Sequence, residues 1–173
     1  MLTEERDESL QHRLKGTVNL AQTINRFKSR EDFYNAVVDV LNKMYPDKPF
    51  KLRWNEATTA QELSKGIRRY VEPGEWGLAR STRGTSKRSE SVRLIIEGVI
   101  FNDQDAKTLI SDAAEFLDEI GTRMIRNPQE VDGAFCVNAQ AFSDAAPLYD
   151  PSAANEQTPL LYAGLTLQFW WIA

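Results

Sequence analysis

The chain of 173 residues has very little of the chemistry on which metal centres and nucleophilic active sites depend. It contains one cysteine, Cys136, and one histidine, His12. A single cysteine excludes an internal disulfide framework and a cysteine-based metal cluster. One His and one Cys also cannot assemble the usual zinc sites, or the Ser-His-Asp and Cys-His arrangements, within one chain.

Long hydrophobic runs are missing as well. No apolar run approaches the ~20 residues that cross a bilayer, and the polar, acidic start MLTEERDESLQHR has no apolar core of the kind found in a secretory signal. We therefore expect a protein that stays in the cytoplasm in which it is made. The formal net charge of −4 argues against nonspecific wrapping of nucleic acid.

The clearest structural pattern is a strand at residues 91–101 followed by a helix at residues 102–124. Apolar residues occupy both faces of the strand, which predicts that it is covered on both sides for at least part of its length. Val92, Leu94, Ile96 and Ile100 alternate there with Ile95, Val99 and Phe101. In the helix, apolar residues recur every three or four positions and predict one buried stripe: Leu109, Ile110, Ala113, Phe116, Leu117, Ile120 and Met124.

The remaining elements complete one domain over residues 29–173, preceded by an N-terminal arm and short helix over residues 1–28. Ser29 predicts the cap of a helix at residues 29–44, whose buried stripe is Phe33, Val37, Val38, Leu41 and Met44. Strands are predicted at residues 50–54, with Trp54 in the core, and at 66–72, resumed by 76–79 beyond a turn or bulge. The last strand, at 160–172, is expected to pair with 91–101. Between them, residues 126–159 favour irregular backbone, with one short strand around Phe135, Val137 and Phe142.

These elements predict an α+β fold: a mostly antiparallel sheet with a long β-hairpin and helices packed on one face. Residues 80–90 contain no apolar residue and carry Arg80, Arg83, Lys87 and Arg88, which indicates an exposed hairpin tip. Such a tip is either a solvated loop, a nucleic-acid contact, or an arm that reaches a neighbouring subunit. The second reading is disfavoured because no aromatic residues interleave with the basic ones to stack on bases.

The order of these landmarks resembles the tail terminator proteins of tailed bacteriophages, also described as minor tail or neck proteins. The likeness covers roughly residues 30–172. It consists of the arginine-rich strand and proline turn at 67–73, the basic tip at 80–89, the two-sided strand at 92–100, the acidic helix at 103–120, the Pro-Leu-Tyr-Asp-Pro element at 147–151, and the strand at 162–170. The apolar ending, residues 170–173, departs from the more polar endings expected of the family.

The resemblance implies a structural protein of the virion, with no catalytic site, cofactor or metal. It implies a ring of identical subunits, usually a hexamer, between the tail tube protein and the head-closure or connector proteins. Such a ring stops tube polymerisation and leaves a channel through which DNA passes as cargo, without a membrane. The residues predicted to contact subunits or partners are Arg80, Arg83, Lys87, Arg88, Tyr149, Trp170 and Trp171.

Other functions stay open from the sequence. A head-closure or adaptor protein, or a tail tube subunit, would have a similar composition. A DNA-binding module would use the basic tip together with Arg68 and Arg69. An enzyme would need carboxylate pairs such as Asp112 and Glu115, but on a helix these favour solvating charge over general acid–base work.

Overall fold

A computed structural model describes residues 27–54, 67–80, 86–99, 103–142 and 160–172. Predictions that concern the N-terminal arm, Arg83 and Tyr149 lie outside these residues. The described elements are α1 (Arg30–Met44), β1 (Lys51–Leu52), β2 (Arg68–Arg80), β3 (Ser86–Val99), α2 (Asp103–Arg126), β4 (Ala134–Phe142) and β5 (Leu160–Ile172). They form an α+β fold with the helices on one face of a mostly antiparallel sheet, which confirms the predicted fold class.

The sheet has the strand order β1-β2-β3-β5-β4. Strands β2 and β3 form the predicted long hairpin, and β2 contains the expected irregularity between Pro73 and Trp76. Strand β5 pairs with β3 over its whole length, as predicted, and β4 pairs antiparallel with β5. Strand β1 is shorter than predicted and pairs parallel with β2 at two positions only.

Helix α1 begins at a reciprocal cap. The hydroxyl of Ser29 accepts from the Asp32 amide at 3.1 Å, and the Asp32 carboxylate accepts from the Lys28 amide at 3.0 Å. The first bond satisfies an amide that the first turn leaves without a partner, and the second fixes the chain just before the cap. At the other end, the side-chain amide of Asn42 bonds both the amide and the carbonyl of Phe50, at 2.7 and 3.1 Å, and so fixes the chain that leaves the helix.

The main core lies between the helices and one sheet face. Its densest part is aromatic: Phe33 of α1 lies with its ring centroid 5.4 Å from that of Phe169 and 6.0 Å from that of Trp171. The predicted stripe of α2 is buried at Ala113, Phe116, Leu117, Ile120 and Met124. Ile110 is 40% exposed, so its placement in the stripe was wrong. It lines a small cleft together with Gly98 and Ala163.

The second sheet face, called here the helix-free face because neither described helix packs on it, carries a smaller cluster. Ile95 and Tyr70 are buried there, and the ring of Phe142 packs beside them and over Gly164. Arg53 bridges Glu72 at 2.6 Å and Glu97 at 2.7 Å, and its guanidinium lies 3.9 Å from the Tyr70 ring centroid. The prediction that both faces of the central strand are covered is therefore confirmed for its described residues.

Three further predictions needed correction. Trp54 is 42% exposed and only edges against Tyr34, because the chain leaves the sheet after Leu52. Residues 86–90 belong to β3, so the polar tip is shorter than predicted. A strand of nine residues, β4, stands where mostly irregular backbone was expected, after Gly133 turns the chain with a φ of 92°. Within the described residues, no helix is long and apolar enough to cross a membrane.

Candidate subunit interface

The ends of four strands meet beside the hairpin loop. Trp76 of β2 pairs with Glu90 of β3, Glu90 with Phe169 of β5, and Phe169 with Cys136 of β4. We call this part of the sheet, residues 76–80, 86–90, 134–137 and 169–172, the hairpin end. The predicted interface residues that the structure describes all belong to it.

Exposed apolar side chains concentrate at the hairpin end. Ten large apolar side chains are exposed among the described residues, and six of them lie here. On the helix-free face, Phe135 stands opposite Trp170, and Ile172 follows on the same side of β5, so these three form one apolar patch. The six, with their exposed fractions, are Trp76 (53%), Leu78 (60%), Phe135 (50%), Val137 (40%), Trp170 (42%) and Ile172 (38%). Contiguous exposed apolar surface of this kind marks an interaction site more often than chance.

Lys87 borders the apolar patch. It pairs with Ile172 across the β3–β5 ladder, and its ammonium lies 3.0 Å from the centroid of the Trp170 ring. The contact holds the charge against the face of the indole, where the ring quadrupole attracts a cation. The patch therefore presents an aromatic surface with one positive charge at its border.

Behind the exposed surface, on the helix side, lies a buried carboxylate. Glu90 is fully buried, and its Oε1 accepts from Nε of Arg30 and from Nε of Arg88, both at 2.8 Å. Its Oε2 accepts from Nη2 of Arg30 at 3.0 Å and from the hydroxyl of Tyr34 at 2.9 Å. Four donors around one carboxylate satisfy the hydrogen-bonding needs of the buried charge. We call these four residues the Glu90 cluster.

The cluster perturbs the titration of its members. The hydrogen bond to Glu90 raises the pKa of Arg30, although partial burial opposes this. Burial, and then the charge of Glu90, raise the pKa of the Tyr34 hydroxyl well above its ordinary value. Both guanidinium groups also face the Trp76 ring, at 5.5 Å for Arg30 and 5.0 Å for Arg88. The cluster thus ties α1 to β3 and β2 and supports the exposed indole from below.

The predicted interface residues fall into two groups. Lys87 and Trp170 lie at the surface of the hairpin end, and position 80 closes β2 beside it. Arg88 and Trp171 face inward: Arg88 bonds Glu90, and Trp171 is 4% exposed within the aromatic core. Since Trp171 has almost no free surface, its side chain packs the fold and offers little to a partner. The contacts that the others make with a partner stay a prediction.

Sequence reasoning missed four exposed residues of this surface: Trp76, Leu78, Phe135 and Val137. The sequence did offer one signal for Trp76 and Leu78. They stand two apart in a strand, so their side chains share a face, and the segment that pairs with them, residues 86–90, is polar. It also missed that strands bring aromatic rings beside the basic residues, Trp76 beside Arg88 and Trp170 beside Lys87. The argument that no aromatic residue accompanies the basic ones therefore holds along the sequence and fails in space.

Catalytic chemistry gains no support from the described residues. Among them, no group of three or more His, Cys, Asp and Glu side chains is placed to hold a metal ion. Burial raises the pKa of the Cys136 thiol to about 11, so little thiolate is present near neutral pH. Comparison of the chain with models of known protein families and with curated proteins finds no match.

Proposed function

We propose that this chain is a structural protein of a bacteriophage virion, a tail terminator at the junction of head and tail. Its subunits form a ring, a hexamer by the resemblance, that caps the tail tube and joins it to the head-closure or connector proteins. DNA passes through the central channel as cargo. The observation that carries the proposal is the concentration of exposed apolar side chains at the hairpin end.

The magnitude of this surface favours a closed assembly over a simple pair. Burying a large apolar side chain fully is worth about 1.5–3 kcal/mol, so covering the exposed halves of six gives about 4–9 kcal/mol. Association of two proteins costs an estimated 4–15 kcal/mol in lost freedom of motion. One such contact is marginal by itself. Each contact in a ring is shared by two subunits, so a closed ring has as many contacts as subunits, whereas a pair has one contact for two subunits. The last contact closes the ring without a further loss of free subunits.

Charge distribution supports a head-to-tail contact. A ring requires each subunit to present two different surfaces that complement each other. The exposed side of α2 is acidic at Asp112, Glu115, Asp118 and Glu119, whereas the hairpin carries Lys87 and the basic residues of its tip. Surfaces of opposite sign steer such subunits together. The net charge of −4 also suits a channel that lets DNA slide without holding it.

The test is assembly of the purified protein. Mass photometry and negative-stain electron microscopy should show single rings with an axial hole, which form as the concentration rises or on addition of tail tubes. Added to polymerising tail tube protein, the rings should cap the ends and halt elongation. Long stacks would identify a tube subunit, and binding to the connector without capping of tubes would identify a head-closure or adaptor protein. A monomer that neither assembles nor caps tubes contradicts the proposal.

A charge-reversal pair tests the role of the hairpin. Arg83→Glu combined with Lys87→Glu should weaken ring formation and capping, with the fold unchanged by circular dichroism. Arg88 is not suitable for this test because its loss removes a counter-ion from the buried carboxylate of Glu90 and would destabilise the fold itself. The matched control is Lys43→Glu combined with Lys51→Glu, which changes the charge equally at exposed positions away from the hairpin end. Equal assembly of both double variants would count against the hairpin.

A further inference from the structure

Among the described residues, the strands at both edges of the sheet have one side without a pairing strand at the hairpin end. Strand β4 pairs with β5 only. On the opposite edge, β1 pairs with β2 at Tyr70 and Val71, and the Arg53 amide adds a bond to the Val71 carbonyl. Residues 76–80 of β2 have β3 on one side and no described strand on the other.

Strand β4 lacks the features that keep edge strands from pairing with other chains. Its nine residues, AFCVNAQAF, include no charged residue, no proline and no glycine. Exposed edges in soluble proteins are commonly guarded by lysine, proline, inward charges or strong bulges, because a row of free amides and carbonyls accepts any extended chain. β4 has one irregularity, at Val137, and Val137 is itself an exposed apolar residue. An edge of this composition suits strand addition.

The two free edges match each other in level and direction. Gly77, Ser89, Trp170 and Phe135 form one row across β2, β3, β5 and β4, so both edges lie at the same height. Each of the three pairings in this row is antiparallel, so β4 runs opposite to β2. Each edge also carries two exposed apolar side chains. Trp76 and Leu78 lie on the helix side of β2, whereas on β4 Phe135 lies on the helix-free face and Val137 at the irregularity.

We propose that β4 of one copy pairs antiparallel with residues 76–80 of the next copy, so that the sheet continues from subunit to subunit around the ring. This interface rests on the proposed function and specifies how its ring closes. The continued sheet keeps the helices of every subunit on the same side, and the contact joins two different surfaces, as a ring requires. In this register Phe135 lies beside Gly77 on the helix-free face, and Trp76 lies beside Cys136 on the helix side. A two-fold pairing of β4 with β4 would leave Trp76 and Leu78 in water.

The charge distribution also favours pairing of β4 with the β2 segment of a second copy. The uncharged β4 places no like charge opposite position 80, the charged position of the facing segment 76–80, or opposite Glu75 just before it. The irregularities at Pro73 to Trp76 and at Val137 stand at the same level, next to the row of Glu90 and Phe169. They limit regular pairing to the hairpin end, where the exposed apolar residues lie.

Disulfide trapping tests the pairing directly. In a Cys136→Ala background, Phe135→Cys and Gly77→Cys place one thiol on each edge in the same row. A side chain at Gly77 meets only the Ser89 hydroxyl, at 3.3 Å, which can rotate away. Oxidation of assembled protein should give a ladder of covalent oligomers up to the ring size in the double variant and in neither single variant. A short bismaleimide, which spans the 7–8 Å of a diagonal pair, covers a register shift of two residues.

The outcomes separate the interface from the function. Rings without this cross-link, or dimers trapped by Phe135→Cys alone, overturn the proposed pairing and leave the ring function standing. Protein that neither forms rings, caps tubes nor cross-links overturns both. As a second measurement, Val137→Lys should abolish rings, while Ile110→Lys should not. The two residues are equally exposed at 40%, and Ile110 lies on α2, outside both edges. Intact rings in Val137→Lys overturn the pairing.

Discussion

Replacing Glu90 by glutamine should be the most damaging conservative substitution at the hairpin end. The change removes one negative charge and turns one carboxylate oxygen into an amide donor. In the native cluster both oxygens only accept, from Arg30, Arg88 and Tyr34 at distances of 2.8–3.0 Å. Whichever way the glutamine amide is oriented, its NH₂ group faces at least one guanidinium donor. Two guanidinium groups are then left near the core without a counter-ion.

The expected loss follows from the burial of the partners. Removing one member of a buried ion pair costs about 3–5 kcal/mol, because the remaining charge is uncompensated. The side chains of Arg30 and Arg88 are 27% and 18% exposed, so water recovers part of this cost, whereas Glu90 has no exposure at all. We therefore expect Glu90→Gln to lower the free energy of unfolding by about 3 kcal/mol. Against a typical total of 5–15 kcal/mol, such a loss is easily measured.

Urea denaturation followed by circular dichroism and tryptophan fluorescence gives the free energies. Glu75→Gln is the control, since Glu75 is exposed on the neighbouring strand and should change stability by less than about 0.5 kcal/mol. Tyr34→Phe, which removes one of the four donors, should cost about 1.5–3 kcal/mol as the loss of a hydrogen bond to a charged group. A loss below about 1 kcal/mol in Glu90→Gln, instead of the ~3 kcal/mol expected, would show that the Glu90 cluster does not stabilise the hairpin end.

Three further predictions concern other parts of the fold. Gly164→Ala should destabilise by about 1–3 kcal/mol, because a Cβ there collides with the Phe142 ring, and the loss should shrink in a Phe142→Leu background; equal losses in both backgrounds would exclude the collision. Asn42→Ala should cost about 2 kcal/mol in urea unfolding because both backbone groups of Phe50 lose their partner, and a loss below about 0.5 kcal/mol would show that water replaces it. Burial raises the pKa of Cys136 from 9.0 to about 11, so its stabilising effect is complete below pH 9 and is lost as the pH rises toward 11. The natural chain should therefore lose about 2 kcal/mol more than Cys136→Ala between roughly pH 8 and 11, and parallel pH curves for the two proteins would refute this.

The spacing of apolar residues correctly predicted the elements whose placement depends on which of their faces is buried. The stripe of α2 and the two-sided central strand follow from apolar spacing alone, and Ser29 predicts its cap because only local bonds are involved. The last strand and its partner could also be anticipated, since the last strand has one continuous apolar face and its partner is apolar on both faces, as a strand inside a sheet is. These predictions depend on neighbours in sequence or on bulk burial.

The features that failed depend on contacts far apart in the sequence. Glu90 lies in a polar run, which predicts an exposed side chain. In the structure it is buried, because Arg30, sixty residues earlier, compensates its charge. Trp54 reads as core because it is large, but the strand that carries it ends two residues before it. Among the interface residues, Arg88 and Lys87 are adjacent and equally basic in the sequence. Strand alternation alone sends one to the helix side and the other to the helix-free face.

Because of this alternation, the two faces of the hairpin end have different roles. On the helix side, Arg88 and Trp171 bind the strands to α1 through the Glu90 cluster and the aromatic core. On the other side, Lys87 and Trp170 meet solvent on strands that the first pair holds in place. A surface that is already ordered loses less conformational entropy on binding than a flexible one, so more of the free energy of burial contributes to affinity. In the proposed ring, a contact made by a few half-exposed side chains would gain most from such an anchor, and the buried Glu90 cluster directly behind the surface supplies one.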